Sequence, residues 1–335
     1  MLADLIPAFD FQTVVVEPWT QGFNDSLWIV LMGFLVSMTC GLVGCFVILR
    51  KMALVGDAIS HSLLPGITIA FLLTQSRDTL PMMIGAIAAG VVTVALIELI
   101  RQSSRIKPDA AIGIVFSTLF AIGVVLISGF ADHVDLDTDC VLYGQIEWIP
   151  FDNFSSIGET ELGPTPVIRM ALISFIVIGL LFAFYKEMLV TSFDAGLAAS
   201  LGISPTVFKY ALVLVLSVVI VASFESVGVV LVIAMIVFPG ATGLMLTDRL
   251  PIALFITVAL SVVYTLLGFH LALWLSATTA GSMSVIAGII FGLAWFFSPN
   301  RGLIGKLLRR RQIANAPTDT DAFGQVDAEQ FGRNL

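Results

Sequence analysis

The chain has 335 residues, 58% of them hydrophobic and 12% charged, with a mean hydropathy of +1.02. Soluble domains carry about 25% charged residues, so composition excludes an ordinary water-soluble core and points to a polytopic membrane protein. The net charge of −8 argues against nucleic acid as a partner, and Cys40, Cys45 and Cys140 are too few and too unevenly spaced for a disulfide framework.

Residues 1–26 lack a basic n-region and a small-residue cleavage site, so they read as an external N-terminal segment rather than a signal peptide. Nine apolar segments follow, near 27–49, 58–75, 81–100, 110–130, 166–185, 207–223, 227–246, 251–276 and 283–298. A helix needs about 20 residues to cross the hydrocarbon core, which makes 58–75, 207–223 and 283–298 marginal spans that tilt, kink or have ends misplaced by about two to four residues. The fold class expected is all-α, with about nine transmembrane helices over residues 27–300. Between the fourth and fifth spans, residues 131–165 carry eight acidic residues and no Lys or Arg. Their aromatic stretch "VLYGQIEWIPFDNF" is expected to include a short helix at the outer interface. Residues 186–206 are expected to form a cytoplasmic loop with its own small helix, and 301–335 a cytoplasmic polar tail whose last part, 312–335, is expected to be disordered.

Charge sets the orientation. Basic residues follow the first, third, fifth, seventh and ninth spans, as Arg50 and Lys51, Arg101, Arg105 and Lys107, Lys186 and Lys209, Arg249, and a cluster beyond Arg301. With the N-terminus outside and the C-terminus cytoplasmic, 14 of the 16 basic residues lie inside, Arg77 and Arg169 being the exceptions. An eight-span arrangement breaks this alternation.

Against that background Asp57 and His61 stand out, because ionisable groups inside a membrane helix cost roughly 2.5 kcal/mol or more. Their i, i+4 spacing puts both side chains on one helix face, where a carboxylate and a neutral imidazole suit a divalent ion such as Mn, Fe or Zn. Two copies of the chain around a common axis bring two such pairs together. The alternative is that Asp57 caps the second helix after Gly56 and His61 bonds a neighbouring helix. Pro65 and Gly66, one turn on, are expected to bend or break the helix and free carbonyls toward a cavity.

The remaining ionisable residues carry plainer readings. His133, among Asp132, Asp135, Asp137 and Asp139, belongs to a solvated acidic loop or a cation-attracting vestibule. His270 in "LLGFHLALWL" reads as a packing histidine, and Glu225 sits at a tight outer turn. Glu98 pairs locally with Arg101 at i+3. In "SFDAGLAASLGIS", Asp194 occupies an N-cap position, Leu197, Ala198 and Leu201 supply an apolar side, and Gly202 terminates the helix. A short capped helix of this kind is either a docking element for another protein or an ordinary interfacial helix.

Three blocks, "GLVGCFVILRKMALVGDAISHSLLPGITIAFLL" (41–73), "FDAGLAASLGIS" (193–204) and "SVGVVLVIAMIVFPGATG" (226–243), resemble the membrane permeases of metal-ion ABC importers that serve Zn, Mn and Fe uptake. The resemblance covers roughly residues 25–305. It implies the ten-helix fold of cobalamin and siderophore-type importer permeases with the first helix missing, in the bacterial plasma membrane. It assigns Asp57 and His61 to the metal site and Asp194, Ala198, Leu201 and Gly202 to the coupling helix that meets the ATPase. It also implies cytoplasmic ATPase subunits, an extracytoplasmic metal-binding protein and a second permease copy or related chain as partners. No permanently bound cofactor is implied, only the transported ion.

The chain carries no Walker A loop, since "GLIGKLL" at 302–308 has the wrong spacing and no Ser or Thr after Lys306. Energy then comes from a partner subunit, and the chain is not itself an enzyme. An ion-gradient-driven transporter is the alternative, but it calls for inverted repeats with broken helices in both halves. An intramembrane metalloenzyme calls for a third strong ligand or a general base, and membrane-embedded ionisable residues are sparse. Neither explains the 193–204 helix.

Overall fold

A computed structural model describes residues 7–75, 79–130, 144, 146–157, 160–298 and 302. Without water in the hydrocarbon region every backbone polar group needs an internal partner, so apolar runs of this length fold as helices. They are α1 (Phe23–Leu49), α2 (Ala53–Thr74), α3 (Thr79–Ser103), α4 (Pro108–Phe130), α5 (Thr165–Ala183), α6 (Tyr185–Phe193), α7 (Ala195–Ser200), α8 (Pro205–Leu246), α9 (Leu250–Leu275) and α10 (Thr279–Phe297). Eight helical segments among the described residues are long and apolar enough to cross a membrane, and Val230–Leu246 is a shorter apolar helix.

That shorter helix is the second half of α8. Gly228 adopts φ 72° and ψ 168° inside an otherwise helical run, a conformation that side-chain-bearing residues rarely take. Contacts at both ends show that the chain reverses there. Lys209, near the start of α8, meets Glu98 of α3. At the other end the Met245 carbonyl accepts from Ser298 Oγ at 2.8 Å, beyond the last turn of α10, and Leu250 shares a surface depression with Tyr185, Leu189 and Phe193 of α6. Both ends of α8 therefore lie on one side of the bundle, called here the α6–α7 side. Gly228 lies on the opposite side, packed against Gly144, where a Cβ on Gly144 would come within 2.5 Å of the Gly228 nitrogen. Counting each half of α8 once gives nine passes, with the described chain beginning and ending on opposite sides.

Helix α1 runs through the centre, packed on α8, α9 and α5, while α2, α3 and α4 form a tightly associated group that joins the rest through α8. The main core includes Met32, Val43, Phe46, Leu216, Ile220, Leu231, Met235 and Tyr264, and a small satellite core of Ala58, Ile97 and Val115 sits within the α2–α4 group. Hydroxyls stitch helices where lipid gives apolar residues no preference for each other. Thr39 meets Ser174 at 2.7 Å, and Tyr264 Oη donates to Thr242 at 3.3 Å. Cys40 and Cys45 are buried and free, which fits packing; Cys140 lies outside the described residues.

Two stretches differ from the sequence expectation. In the 131–165 loop, a 3-10 helix at Ile146–Phe151 buries Ile146, Ile149 and Pro150, and an antiparallel hairpin of β1 (Phe154–Ile157) and β2 (Thr160–Pro164) follows. The hairpin was not expected from the sequence. Residues 186–206, read as a loop with one small helix, contain two, α6 and α7. Residues 131–143 with His133, and 303–335 of the tail, lie outside the described residues.

Candidate functional site

Asp57 and His61 project from α2 one turn apart, with His61 Nε2 3.4 Å from Asp57 Oδ1. The helix begins at Ala53, and its N-cap residue is Met52, which makes no side-chain cap bond. Asp57 therefore stands inside the helix and does not cap it. The two side chains are 45% and 37% exposed on the single chain. His61 lies against Phe116 and Phe120 of α4, with ring centroids 5.7 and 6.2 Å away. The pair thus opens away from the bundle beside an aromatic wall, at about 6 and 12 Å along the helix from its first residue.

Of the bend or break expected at Pro65, the break is absent, since α2 continues through it to Thr74. Neighbouring helices pack closely around the segment. Gly66 and Gly85 approach so closely that a Cβ on Gly66 would come 2.2 Å from the Gly85 carbonyl oxygen, and Gly123 of α4 leaves room for the Pro65 ring. Pro65 still lacks an N–H, so the carbonyl of His61, four residues earlier, loses its ordinary helical donor. Among the described residues no group of three or more His, Cys, Asp or Glu converges, so one chain offers one carboxylate and one imidazole.

Ser62 Oγ and Thr93 Oγ1, 2.6 Å apart and buried, fasten α2 to α3 directly behind His61. Nearer the α6–α7 side, Glu98 of α3 is buried and fully partnered. Its Oε1 accepts from Arg101 at 2.8 Å and Gln102 at 2.9 Å, and its Oε2 accepts from Lys209 of α8. The local Arg101 pair was legible from its i+3 spacing. The Lys209 contact spans 111 residues and had no sequence signal.

The second element is α7. Asp194 is its N-cap, and its Oδ1 accepts from the Gly196 and Leu197 amides, each at 2.9 Å. At the other end Gly202 takes φ +79°, its N–H bonds the Ala199 carbonyl, and the Ile203 N–H bonds the Ala198 carbonyl. These are the two bonds of a Schellman termination. Ala198 is buried, whereas Leu197 and Leu201 are 51% and 61% exposed, so the capped turn holds apolar side chains out into solvent.

His270 stands apart from the Asp57–His61 pair. His270 receives a hydrogen bond from Trp19 Nε1 at 3.4 Å and contacts the Val14 carbonyl at 2.9 Å through Nδ1. Acceptance at Nε2 puts its proton on Nδ1, which donates to Val14, and the side chain is spent on docking the N-terminal segment. His133 lies outside the described residues, as does the side chain of Glu225, whose backbone lies three residues before Gly228.

Comparison with known proteins fits this architecture. The chain is 40% identical over 282 residues to the manganese transport system membrane protein MntD of Bacillus subtilis, covering 84% of this chain and 95% of that one. It is 38% identical over 285 residues to the zinc transport system membrane protein TroD of Treponema pallidum, covering 85% and 77%. Among solved structures, PsaBC from Streptococcus pneumoniae in complex with Fab superposes with a TM-score of 0.70 at 28% identity, over 90% of this chain and 98% of that one. Residues 24–298 match the family described as the ABC 3 transport family, and the chain belongs to that family of membrane transport proteins.

Proposed function

We propose that the chain is the permease subunit of an ATP-binding-cassette importer that moves a divalent transition metal, manganese, zinc or iron, across the bacterial plasma membrane. The observation that carries the reading is the Asp57–His61 pair, two ionisable side chains on one face of a membrane helix, both part-exposed on the single chain. Facing lipid, such a pair is costly; facing a polar path between two permease copies, it is paired with its symmetry mate. Two copies supply two carboxylates and two imidazoles, a donor set suited to Mn, Fe or Zn.

Orientation follows from charge. The α6–α7 side carries Arg50, Lys51, Arg101 and Lys209 and becomes the cytoplasmic side under the positive-inside rule. The N-terminus is then external, and Asp57 and His61 lie in the inner half of the path. On that side α7 is the coupling helix: Asp194 and Gly202 fix its ends, Ala198 packs it inward, and Leu201 with Leu197 enters a groove on the ATPase. The outer loops, including Ile146–Phe151, receive the extracytoplasmic metal-binding protein.

The test is metal content by mass spectrometry of the purified permease–ATPase complex, for wild type, Asp57→Ala and His61→Ala, after separate exposure to Mn, Zn and Fe. Stoichiometric metal in wild type that disappears in both variants is the expected result, and the retained metal identifies the cargo. Equal metal in all three proteins removes Asp57 and His61 from the path.

A further inference from the structure

We infer that Arg50 and the Glu98–Lys209 pair are positioning residues that anchor the two flanks of α7 to the Asp57–His61 helix, so that displacement of α7 by the ATPase moves the metal site. This rests on the importer reading above.

The upstream anchor is Arg50, at the end of α1. Its Nε donates to Ser192 Oγ at 3.1 Å and its Nη2 to Thr191 Oγ1 at 2.6 Å. Both hydroxyls already spend their hydrogens within α6, Thr191 on the Glu187 carbonyl and Ser192 on the Met188 carbonyl. Their lone pairs are thus left for the guanidinium, whose planar fork matches two fixed acceptors. Burial draws the Arg50 guanidinium below its usual pKa range, and these contacts replace part of its lost water. Ser192 lies two residues before the Asp194 cap. On the other side of Arg50 the connection to α2 has no slack. Lys51 is left-handed at φ 57°, and the Lys51 and Met52 amides bond the Ile48 and Val47 carbonyls at 2.9 Å. Helix α2 starts at the next residue.

The downstream anchor begins at Lys209, in the second turn of α8, after the Gly202 termination of α7. Its ammonium engages Glu98 Oε2, while Arg101 and Gln102 hold Oε1. Five residues earlier on α3, Thr93 grips Ser62, the neighbour of His61. The α6–α7 segment is therefore tied at one flank to the start of α2 and at the other, through α3, to the middle of α2. Both anchors line the same cavity of about 720 Å³, together with Leu54 and Val55 of α2, which leaves space for the anchored elements to shift.

The experiment uses the full permease–ATPase complex with its external binding protein in proteoliposomes, and reads manganese, zinc and iron uptake per ATP hydrolysed, alongside the unfolding temperature of each complex. In Arg50→Gln and Lys209→Met, ATP hydrolysis continues while uptake per ATP falls roughly tenfold, within the range of site-to-site coupling factors. Lys209→Arg keeps the charge and preserves the ratio. Glu98→Gln, near-isosteric but leaving the Lys209 ammonium without its carboxylate, lowers the ratio as Lys209→Met does. A ratio unchanged in Arg50→Gln and Glu98→Gln overturns the inference. So does parallel loss of hydrolysis and uptake with a lowered unfolding temperature, which marks the anchors as purely structural. A wild-type complex that hydrolyses ATP without taking up manganese, zinc or iron overturns the importer reading instead.

Discussion

Replacing Asp194 isolates what holds α7 together. The helix has six residues, too short for its own backbone bonds to offset nucleation, so its order depends on its two ends. Asp194 satisfies two of the amides that a helix start leaves unpartnered, and losing such a cap costs about 1–2 kcal/mol. At about 1.4 kcal/mol per factor of ten, Asp194→Ala lowers the ratio of ordered to disordered α7 about 5- to 30-fold, while Asp194→Asn, an equally good cap, leaves it nearly unchanged. Hydrogen exchange at the Gly196 and Leu197 amides reads the order directly, and titration with the ATPase subunit reads its consequence. Alanine should speed exchange by that factor and weaken association by up to the same factor, with asparagine doing neither. If asparagine weakens association as strongly as alanine while both amides remain protected, the carboxylate is recognised by the partner and the capping argument is refuted.

Other perturbations test the packing. Gly66→Val drives a branched side chain into the Gly85 carbonyl, which a Cβ alone would approach to 2.2 Å; overpacking of this kind costs about 1–3 kcal/mol, read as a lowered unfolding temperature in detergent. His270→Phe removes the bonds to Val14 and Trp19, at about 1 kcal/mol for a typical bond. It should expose residues 7–20 to protease while metal content stays that of wild type. Glu147→Ala removes the carboxylate that accepts from the Thr279 amide at the start of α10, a charge-assisted bond worth roughly 1.5–3 kcal/mol. Faster exchange at that amide, without loss of the Asp57–His61 metal, is the expected outcome. Ser62→Ala leaves Thr93 still bonded to the Ala89 carbonyl, so stability should fall by only about 1 kcal/mol; thermal unfolding checks it.

The sequence alone determined what local chemistry determines. Hydropathy located the membrane helices to within a few residues, because an apolar run in lipid has no alternative to a helix. The i, i+4 rule put Asp57 and His61 on one face, and Asp194 and Gly202 announced the ends of α7 by capping and left-handed termination. Tertiary packing decided the rest. Pro65 reads as a breaker, yet Gly85 and Gly123 let neighbouring helices close around it and α2 runs on. The reversal inside α8 falls at Gly228 and not at the polar Glu225 nearby, because only a glycine takes that backbone conformation and the outer Gly144 must fit against it. Helix α6 lacks a strong apolar signature and is held where Arg50 meets its hydroxyls. Glu98 shows its i+3 partner to any reader of the sequence, but Lys209 reaches it only because α8 folds back beside α3. Contacts between residues far apart in the chain leave no periodic trace along it, and those contacts join the α6–α7 segment to α2 and α3.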